Sequence, residues 1–555
     1  MNFPFTKHYP SYVKYDEKIE PRPVFDILNQ SAARFPSHAA IDFFDKIITF
    51  KQLDELVNYF AQVLMNSGVK KGQKIGIYMP NCPYFVICYY AILKAGAVVV
   101  NYSPLYSESE LKTQVDDSDT EILITLNLKL LYPKAESILK KNLEADGGLK
   151  KIIVADFTKY LPFPKNILFR LFKGKTLSKP AFNNKTIIDF DLLMNVITDI
   201  QPKFPDIHPD DTAVIQYTGG TTGVPKGAEL THANIYINTM QSKLFAIRVP
   251  DGEGATLTVL PLFHVFAMTT CMNLGLLCGH KLILHPRFEI KKVLQDIQKK
   301  KPTGMPGVAS MYNAINNFPE TKNFNLKSLK ICVSGGGPLP LEIKKKFEAL
   351  TGCSLVEGYG LTEASPVVSC NPPESFSKEG SIGLPFPNTE IFITDLNNPE
   401  KFLGVGERGE LCIKGPQVMK GYYQRPDATL KCLEKGMLRT GDVATVDEDG
   451  FIFIVDRIKE MVIVGGFKVY PRNMEEIIYQ HPSILECAVI GIPDEYSGQK
   501  TKVFVVFKQG MEISTEEMMA YFKEHLAKHE VPKEIEFRDS LPKSPIGKIL
   551  KKELK

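Results

Sequence analysis

The sequence contains no tryptophan. It also lacks any Cys-x-x-Cys pair. Its ten cysteines are scattered, as at Cys82, Cys88, Cys332 and Cys487, which argues against a structural zinc site and for buried thiols in a reducing cytosol. Excess charge of either sign is missing too: 67 lysines and arginines stand against 63 acids, a net +4. No global field therefore argues for nucleic acid as a partner, and any anion site must be local. Long apolar runs are absent as well. The most apolar stretch, Tyr84 to Val100, is broken by Lys94 and falls short of the ~18–20 clean residues of a membrane span. The segment Met1-Asn2-Phe3-Pro4-Phe5-Thr6-Lys7 has no basic stretch followed by an apolar one, so no signal peptide is expected. Together these absences predict a cytoplasmic protein, with peripheral contact on the inner face of the membrane left open.

What is present is a chain of 555 residues with 44% hydrophobic and 23% charged content, ordinary for a globular protein and long enough for roughly three or four domains' worth of core. From residue 40 to about 300, short β-branched runs alternate with helix-like segments. Lys74 to Met79 reads as a buried strand, Tyr84 to Ala95 as an apolar helix stopped at Gly96, and Ala97 to Val100 as the next strand. Glu121–Thr125 and Lys151–Ala155 repeat the theme. Ala213–Tyr217 is a strand feeding a glycine-rich loop, with the following helix expected from Thr231, and Lys330–Ser334 runs into a second glycine turn. Such turns at strand ends are where α/β sheets open ligand crevices. After about residue 380 shorter strands and glycine turns point to a β-rich subdomain. Ser514 to Glu517 is a capping box opening a helix that carries Met518, Tyr521, Phe522 and Leu526 on one face. The expected architecture is α/β, a large N-terminal region of α/β subdomains plus the β-rich subdomain over 1–455, then a small α+β C-terminal domain over 456–555.

The glycine-rich loop is Tyr217-Thr218-Gly219-Gly220-Thr221-Thr222-Gly223-Val224-Pro225-Lys226-Gly227. Glycines let successive N–H groups turn toward one concavity, and three threonine hydroxyls with Lys226 add donors and charge, as a polyphosphate requires. The order is not that of a Walker loop, which ends in Gly-Lys-Ser/Thr. The whole segment closely resembles the phosphate loop of the adenylate-forming superfamily, which comprises acyl-CoA synthetases, luciferases and peptide-synthetase adenylation domains. The Gly219-Gly220 pair resembles that of the bacterial long-chain fatty-acid–CoA ligases.

Further motifs carry the resemblance from roughly residue 25 to 555. Gly335-Gly336-Gly337-Pro338 and Glu357-Gly358-Tyr359-Gly360-Leu361-Thr362-Glu363 are similar to the family's adenine-binding turn and its Tyr-Gly-x-Thr-Glu motif. The resemblance implies that Thr362 donates to the α-phosphate and that Glu363 holds Mg²⁺, a hard cation suited to carboxylate oxygen. Asp442, in Leu438-Arg439-Thr440-Gly441-Asp442, matches the aspartate that accepts both ribose hydroxyls. Asp456-Arg457-Ile458-Lys459-Glu460 resembles the hinge of a mobile C-terminal domain, with Arg457 on ribose or phosphate and Lys459 at the pivot. Gly465 and Gly466 match the stretch that faces coenzyme A, and Lys548, in Pro542-Lys543-Ser544-Pro545-Ile546-Gly547-Lys548, matches the adenylation lysine. In Pro261 to Met268, His264 alone reads as a core histidine; by resemblance it lines the acyl pocket. Met268 stands near where some long-chain synthetases place a gating tryptophan, and its flexibility suits an adaptable channel.

The resemblance implies an ATP-dependent acid–thiol ligase that makes an acyl-adenylate, releases pyrophosphate, and passes the acyl group to coenzyme A with loss of AMP. Its expected partners are ATP, Mg²⁺, a fatty acid and coenzyme A. A medium-chain or aryl acid, or a carrier protein as acceptor, stays open as an alternative; no carrier domain follows Lys555, which favours free coenzyme A. Outside the family, a kinase-type NTPase or a non-enzymatic nucleotide sensor are the rivals. Lys159 to Lys175 mixes aromatic and aliphatic residues with five basic ones, the composition of a membrane-surface segment or of a domain-edge loop. Oligomeric state is left open, a homodimer included.

Overall fold

The computed structural model describes residues 3–195, 203–218, 225–246, 249–544 and 547–554. The helix Pro83–Lys94 begins with proline at its first position, where the missing N–H is no loss, and is buried from Pro83 to Leu93. A helix apolar on every side has to lie between layers. Gly96, at φ +77°, then turns the chain into the strand Val98–Tyr102, whose five residues are all buried.

That strand belongs to an eight-stranded sheet. Its order is Gly421–Tyr422, Lys226–Thr231, Thr212–Thr218, Val98–Tyr102, Lys74–Tyr78, Ile122–Leu126, Lys151–Ala155, Ile187–Asp189. Pairing is parallel from Thr212–Thr218 to the Ile187–Asp189 edge and antiparallel at the other. A second layer runs Lys46–Thr49, Ala39–Phe43, Lys281–Leu284, Ala255–Thr258. It continues through single bridges at Gly304 into Ile331–Ser334, Ser354–Gly360, Val367–Cys370 and Leu384–Pro385.

The glycine-dense stretch after residue 380 forms a five-stranded antiparallel sheet of Glu390–Thr394, Gly409–Lys414, Met437–Val446, Leu433–Glu434 and Ile452–Arg457. Beyond it, Val462–Val464, Phe467–Val469, Ile484–Asp494, Gly498–Phe507 and Glu534–Phe537 make a small sheet. The helices Pro471–Tyr479 and Thr515–His525 bury Met474, Ile478, Met518 and Phe522 in a core of its own. The capping box forms as expected, with the Ser514 hydroxyl accepting the Glu517 N–H at 3.1 Å. The mixed α/β architecture with a small α+β unit at the end is the one the sequence pattern predicts.

One strand was not expected. Lys226–Thr231 pairs antiparallel with Thr212–Thr218, Thr218 standing opposite Lys226. The glycine-rich loop thus joins two strands of a hairpin, and the helix His232–Ala246 starts where the sequence places it, with the Thr231 hydroxyl accepting the Asn234 N–H at 3.1 Å. Lys-Gly-Ala-Glu-Leu-Thr has too few β-branched residues to announce a strand. Of the ten cysteines, Cys432 is partly exposed and the others are buried and free.

Candidate active site

A cavity of about 1510 Å³ opens where the ends of Thr212–Thr218, Ile331–Ser334 and Ser354–Gly360 meet the C-terminal unit. Its wall takes Thr218 and Lys226 from the hairpin, Gly335 and Gly336 from the second glycine turn, and Gly358 through Glu363 from the strand end. Two glycines are needed sterically. A Cβ on Gly335 would lie 2.9 Å from the Phe266 ring, and one on Gly360 only 2.1 Å from the Pro366 carbonyl oxygen. The hairpin is braced from outside the wall: the Tyr217 hydroxyl donates to Asp117 Oδ2 at 2.7 Å, and Arg425 pairs with the same carboxylate.

Asp442 is buried, yet it reaches the cavity with both oxygens already engaged. Oδ2 accepts the Tyr359 hydroxyl at 2.5 Å, and Oδ1 lies 3.4 Å from Arg457 Nε. Burial, and next the Asp442 carboxylate, push the Tyr359 hydroxyl well above its ordinary value, so it stays a donor. Glu363 receives the Tyr422 hydroxyl at 2.6 Å, and the Lys226 ammonium stands over the Tyr422 ring, 4.9 Å from its centroid. Glutamate, tyrosine and lysine are thereby tied into one patch of wall.

The tail brings Lys548 into the same space. It sits at the turn of a small antiparallel contact: the Ser544 N–H donates to the Lys548 carbonyl at 2.7 Å, and the Leu550 N–H to the Pro542 carbonyl at 2.8 Å. The Ser310 hydroxyl of the N-terminal region fastens that turn, donating to the Gly547 carbonyl at 3.0 Å. Burial lowers Lys548 to about 8, with the Arg457 charge acting in the same direction and the Glu460 and Asp442 carboxylates against it. His264 is held neutral: burial, then the Lys548 charge, lowers it to about 4. Arg457, Lys459, Glu460 and Lys551 line the cavity as well, with Arg457 3.4 Å from Asp442 and Lys551 paired with Glu460 and Glu475.

His264 is placed by two buried amides. The Asn81 side chain accepts the Leu262 N–H at 2.7 Å and donates to the Leu260 carbonyl at 2.8 Å, while Gln216 donates to the Phe263 carbonyl at 3.0 Å. Past His264 the cavity runs deeper, between a stretch of π-helix, Met268–Asn273, with its continuation Leu274–Leu277, and the second sheet. Thr270, Leu274 and Gly275 line it on one side, Thr256, Thr303 and Ile331 on the other. A widened helical turn beside a ligand cavity is a recurrent functional device.

Not every residue singled out in the sequence reaches this wall. Gly219, Gly220, Thr221, Thr222 and Gly223 lie outside the described residues. Gly337 and Pro338 follow the lining glycines without lining the cavity themselves. Met268 is fully buried behind it, its sulfur accepting the Asn101 amide at 3.5 Å. Glu357 turns away from it to Arg472, its Oε1 3.2 Å from the guanidinium, and burial raises it to about 7. Gly465 and Gly466, at φ 56° and 87°, form the turn between Val462–Val464 and Phe467–Val469, away from the cavity. Conversely, no sequence motif marks Tyr422, Arg472 or Ser310. Each acts through a partner more than fifty residues away, which local pattern does not encode.

Comparison with known proteins agrees with this geometry. The sequence model described as AMP-binding enzyme matches residues 28–423, and the one described as AMP-binding enzyme C-terminal domain matches residues 473–548. A long-chain-fatty-acid–CoA ligase of Bacillus subtilis is 42% identical over 561 residues, covering 99% of this chain and 97% of its own length. One of Yersinia pestis is 37% identical, covering 99% and 97%. Among solved structures, the o-succinylbenzoate coenzyme A synthetase of Bacillus subtilis in complex with ATP and magnesium ion superposes with a TM-score of 0.77 at 27% identity, over 96% of this chain and 100% of that one.

Proposed function

The chain belongs to the AMP-binding enzyme family, and from that premise we propose that it is an acid–thiol ligase that activates a long-chain fatty acid with ATP and passes the acyl group to coenzyme A. The observation that carries the reading is Lys548, delivered by the last dozen residues into a cavity it shares with Thr362, Glu363, Asp442 and His264.

A carboxylate is a poor electrophile because its charge is delocalised. Attack of its oxygen on the α-phosphorus of ATP forms the acyl–phosphate bond, breaks the bond to pyrophosphate, and leaves the carbonyl attached to AMP. The protein forms no bond in that step; it aligns two anions and neutralises the charge that develops. We assign Lys548 to the α-phosphate and carboxylate oxygens, the Thr362 hydroxyl to the α-phosphate, and Lys226 with the loop Thr218–Gly223 to the β- and γ-phosphates. Asp442 accepts the ribose hydroxyls, Arg457 lies beside them, and Gly335, Gly336, Gly358 and Gly360 let the base approach the backbone near Tyr359. Glu363 suits Mg²⁺, which takes one or two carboxylates together with substrate phosphates; the ion supplies neutralisation of phosphate charge when bound. A neutral His264 at the mouth of the deeper branch adds no charge that would compete with Lys548 for the carboxylate. We assign that branch to the acyl chain. The cavity exceeds the ~300–1,000 Å³ usual for one small ligand, which supports two substrates in one space.

In the second step the thiolate sulfur of coenzyme A attacks the acyl carbonyl and AMP leaves. We propose that residues 456–555 move as a unit about 456–460, with Lys459 at the pivot, withdrawing Lys548 and turning Gly465 and Gly466 toward the incoming thiol. Such a motion gates the sequence of steps rather than accelerating either. The family relatives named for long-chain acids support the chain length, and an acid that partitions into bilayers supports peripheral membrane contact.

The test separates the half-reactions. Lys548→Ala is expected to lower acid-dependent pyrophosphate exchange by ~10²–10³-fold, and to leave thioester formation from supplied acyl-adenylate within about twofold; equal loss in both would sink the assignment. AMP release measured from acetate to stearate and with aromatic acids, with and without coenzyme A, is expected to peak at long chains and to depend on the thiol. A peak at an aromatic or medium-chain acid, or turnover with a carrier protein alone, would replace this substrate reading with the corresponding one.

A further inference from the structure

The helix Lys165–Lys173 buries none of its residues. An amphipathic surface helix ordinarily turns its apolar stripe inward; this one does the reverse. Its polar edge does the holding. Lys165 Nζ donates to Asp45 Oδ2 at 2.8 Å and to the Phe44 carbonyl at 2.9 Å. Arg170 Nε donates to the Thr158 hydroxyl at 3.0 Å, and its guanidinium pairs with Asp156. Phe169 alone of the apolar residues packs inward, on Phe157, with ring centroids 5.2 Å apart. Ile167, Leu168, Leu171 and Phe172 are left 47%, 44%, 71% and 81% exposed, with Phe163 at 79% just ahead of them. At about 100° per residue those four helix positions share one arc of roughly 140°.

Basic residues frame this arc. Lys173 ends the helix, Lys175 and Lys179 follow it, and all three are exposed. Lys129 joins them, because its backbone N–H donates to the Thr176 carbonyl at 2.8 Å; Lys129, Lys175, Lys179 and Ser178 line one shallow depression. None of the four lysines pairs with a carboxylate among the described residues. Lys165 and Arg170 are spent on the body of the protein, so the outward charge is carried by this second set.

We propose that this face is a docking surface for an anionic lipid bilayer, with Leu171, Phe172 and Phe163 entering the acyl boundary and Lys129, Lys173, Lys175 and Lys179 meeting the headgroups. The purpose of such docking rests on the fatty-acid reading above; its geometry does not. A bilayer complements both halves of the surface, the apolar arc and the unpaired lysines around it. A second copy complements only one: a two-fold contact through this helix sets like patches against each other, lysines included.

The test uses the full chain and vesicles of phosphatidylcholine with and without phosphatidylglycerol. The unaltered protein is expected to sediment with the mixed vesicles and much less with phosphatidylcholine alone. Leu171→Glu with Phe172→Glu should lower partitioning at least about tenfold. Lys173→Glu, Lys175→Glu and Lys179→Glu together should lower it on the mixed vesicles by on the order of a hundredfold. Both variants should turn over octanoate, which needs no bilayer, at the unaltered rate, showing that they fold. The proposal is overturned if the unaltered protein stays in the supernatant, or if either variant sediments as it does. It is equally overturned if the unaltered protein is a dimer that the Leu171 and Phe172 changes split while vesicle binding persists. A protein that binds vesicles but releases AMP from no acid would sink the proposed reaction and leave the docking surface standing.

Discussion

Lys548 carries a charge that its surroundings make titratable. Lowered to about 8 by burial first and by Arg457 second, its ammonium loses its proton as pH rises through that value, well below an exposed lysine. If Lys548 stabilises the transferring phosphoryl charge, adenylate formation should decline above about pH 8 while thioester formation from supplied adenylate does not follow the same limb. Lys548→Arg should remove the limb, because a guanidinium stays protonated. A pH–rate profile of pyrophosphate exchange for the two proteins checks this, and a shared limb in the arginine variant assigns the titration elsewhere. The linkage to stability has the matching sign. A lysine whose folded value lies below its unfolded one binds fewer protons when folded, so stability rises with pH between about 8 and 10.5. His264, lowered to about 4, is neutral across the same range and contributes no competing step.

At the scale of elements, the features that position the site are those whose cause is local. The capping box at Ser514 is readable from four consecutive residues and forms; the helix it opens places Met518 and Phe522 in the core of the C-terminal unit. Ser514→Ala should cost about 1 kcal/mol, read as a lower thermal midpoint for that unit, and Ser514→Asp should restore most of it. The helix Pro83–Lys94 was nearly as plain, as an apolar run from Tyr84 that Gly96 stops. The hairpin arm Lys226–Thr231 was not, because its strand character comes from pairing with Thr212–Thr218 and not from its own residues. The helix Lys165–Lys173 sits between these cases. Its mixed apolar and basic composition is legible, but the helix and the face it turns to solvent come with Asp45, Asp156 and Phe157.

At the scale of the whole molecule, the placement of Lys548 depends on a seam between the N-terminal region and the C-terminal unit. Several contacts among the described residues cross it. Ser310 holds the Gly547 carbonyl and Asn313 the Leu485 carbonyl, at 3.0 and 2.9 Å. Arg472 adds its guanidinium on Glu357 at 3.2 Å, while its backbone N–H on Asp456 Oδ2 at 3.1 Å stays within the C-terminal unit. Arg472→Met leaves Glu357 buried without its cation, which for a pair this enclosed costs about 3 kcal/mol in the arrangement that admits Lys548. Adenylate formation should slow by at least about tenfold, with thioester formation from supplied adenylate spared. A uniform loss in both half-reactions would show that Arg472 supports the fold alone. Glu357, raised to about 7 by burial, sets the pH sense of this seam. Its ionised form, the one that pairs with Arg472, prevails above that value, and the stability that a raised acid contributes below its unfolded value is lost as pH rises through about 7.

The sequence by itself determined the fold class, the α/β alternation and the order of the motifs, because periodicity, caps and glycine turns act over a few residues. It also singled out Thr362, Glu363, Asp442, Arg457, Lys459 and Lys548, which line one cavity although they span nearly two hundred residues. Tertiary structure alone decided that Met268 lies behind the wall, that Glu357 faces Arg472, that Tyr422 joins Glu363 to Lys226, and that a helix presents its apolar arc outward. The reason is physical. Short-range propensity settles what an element is, whereas burial and partner choice are settled by residues distant in the chain, and a side chain's role follows from what it meets.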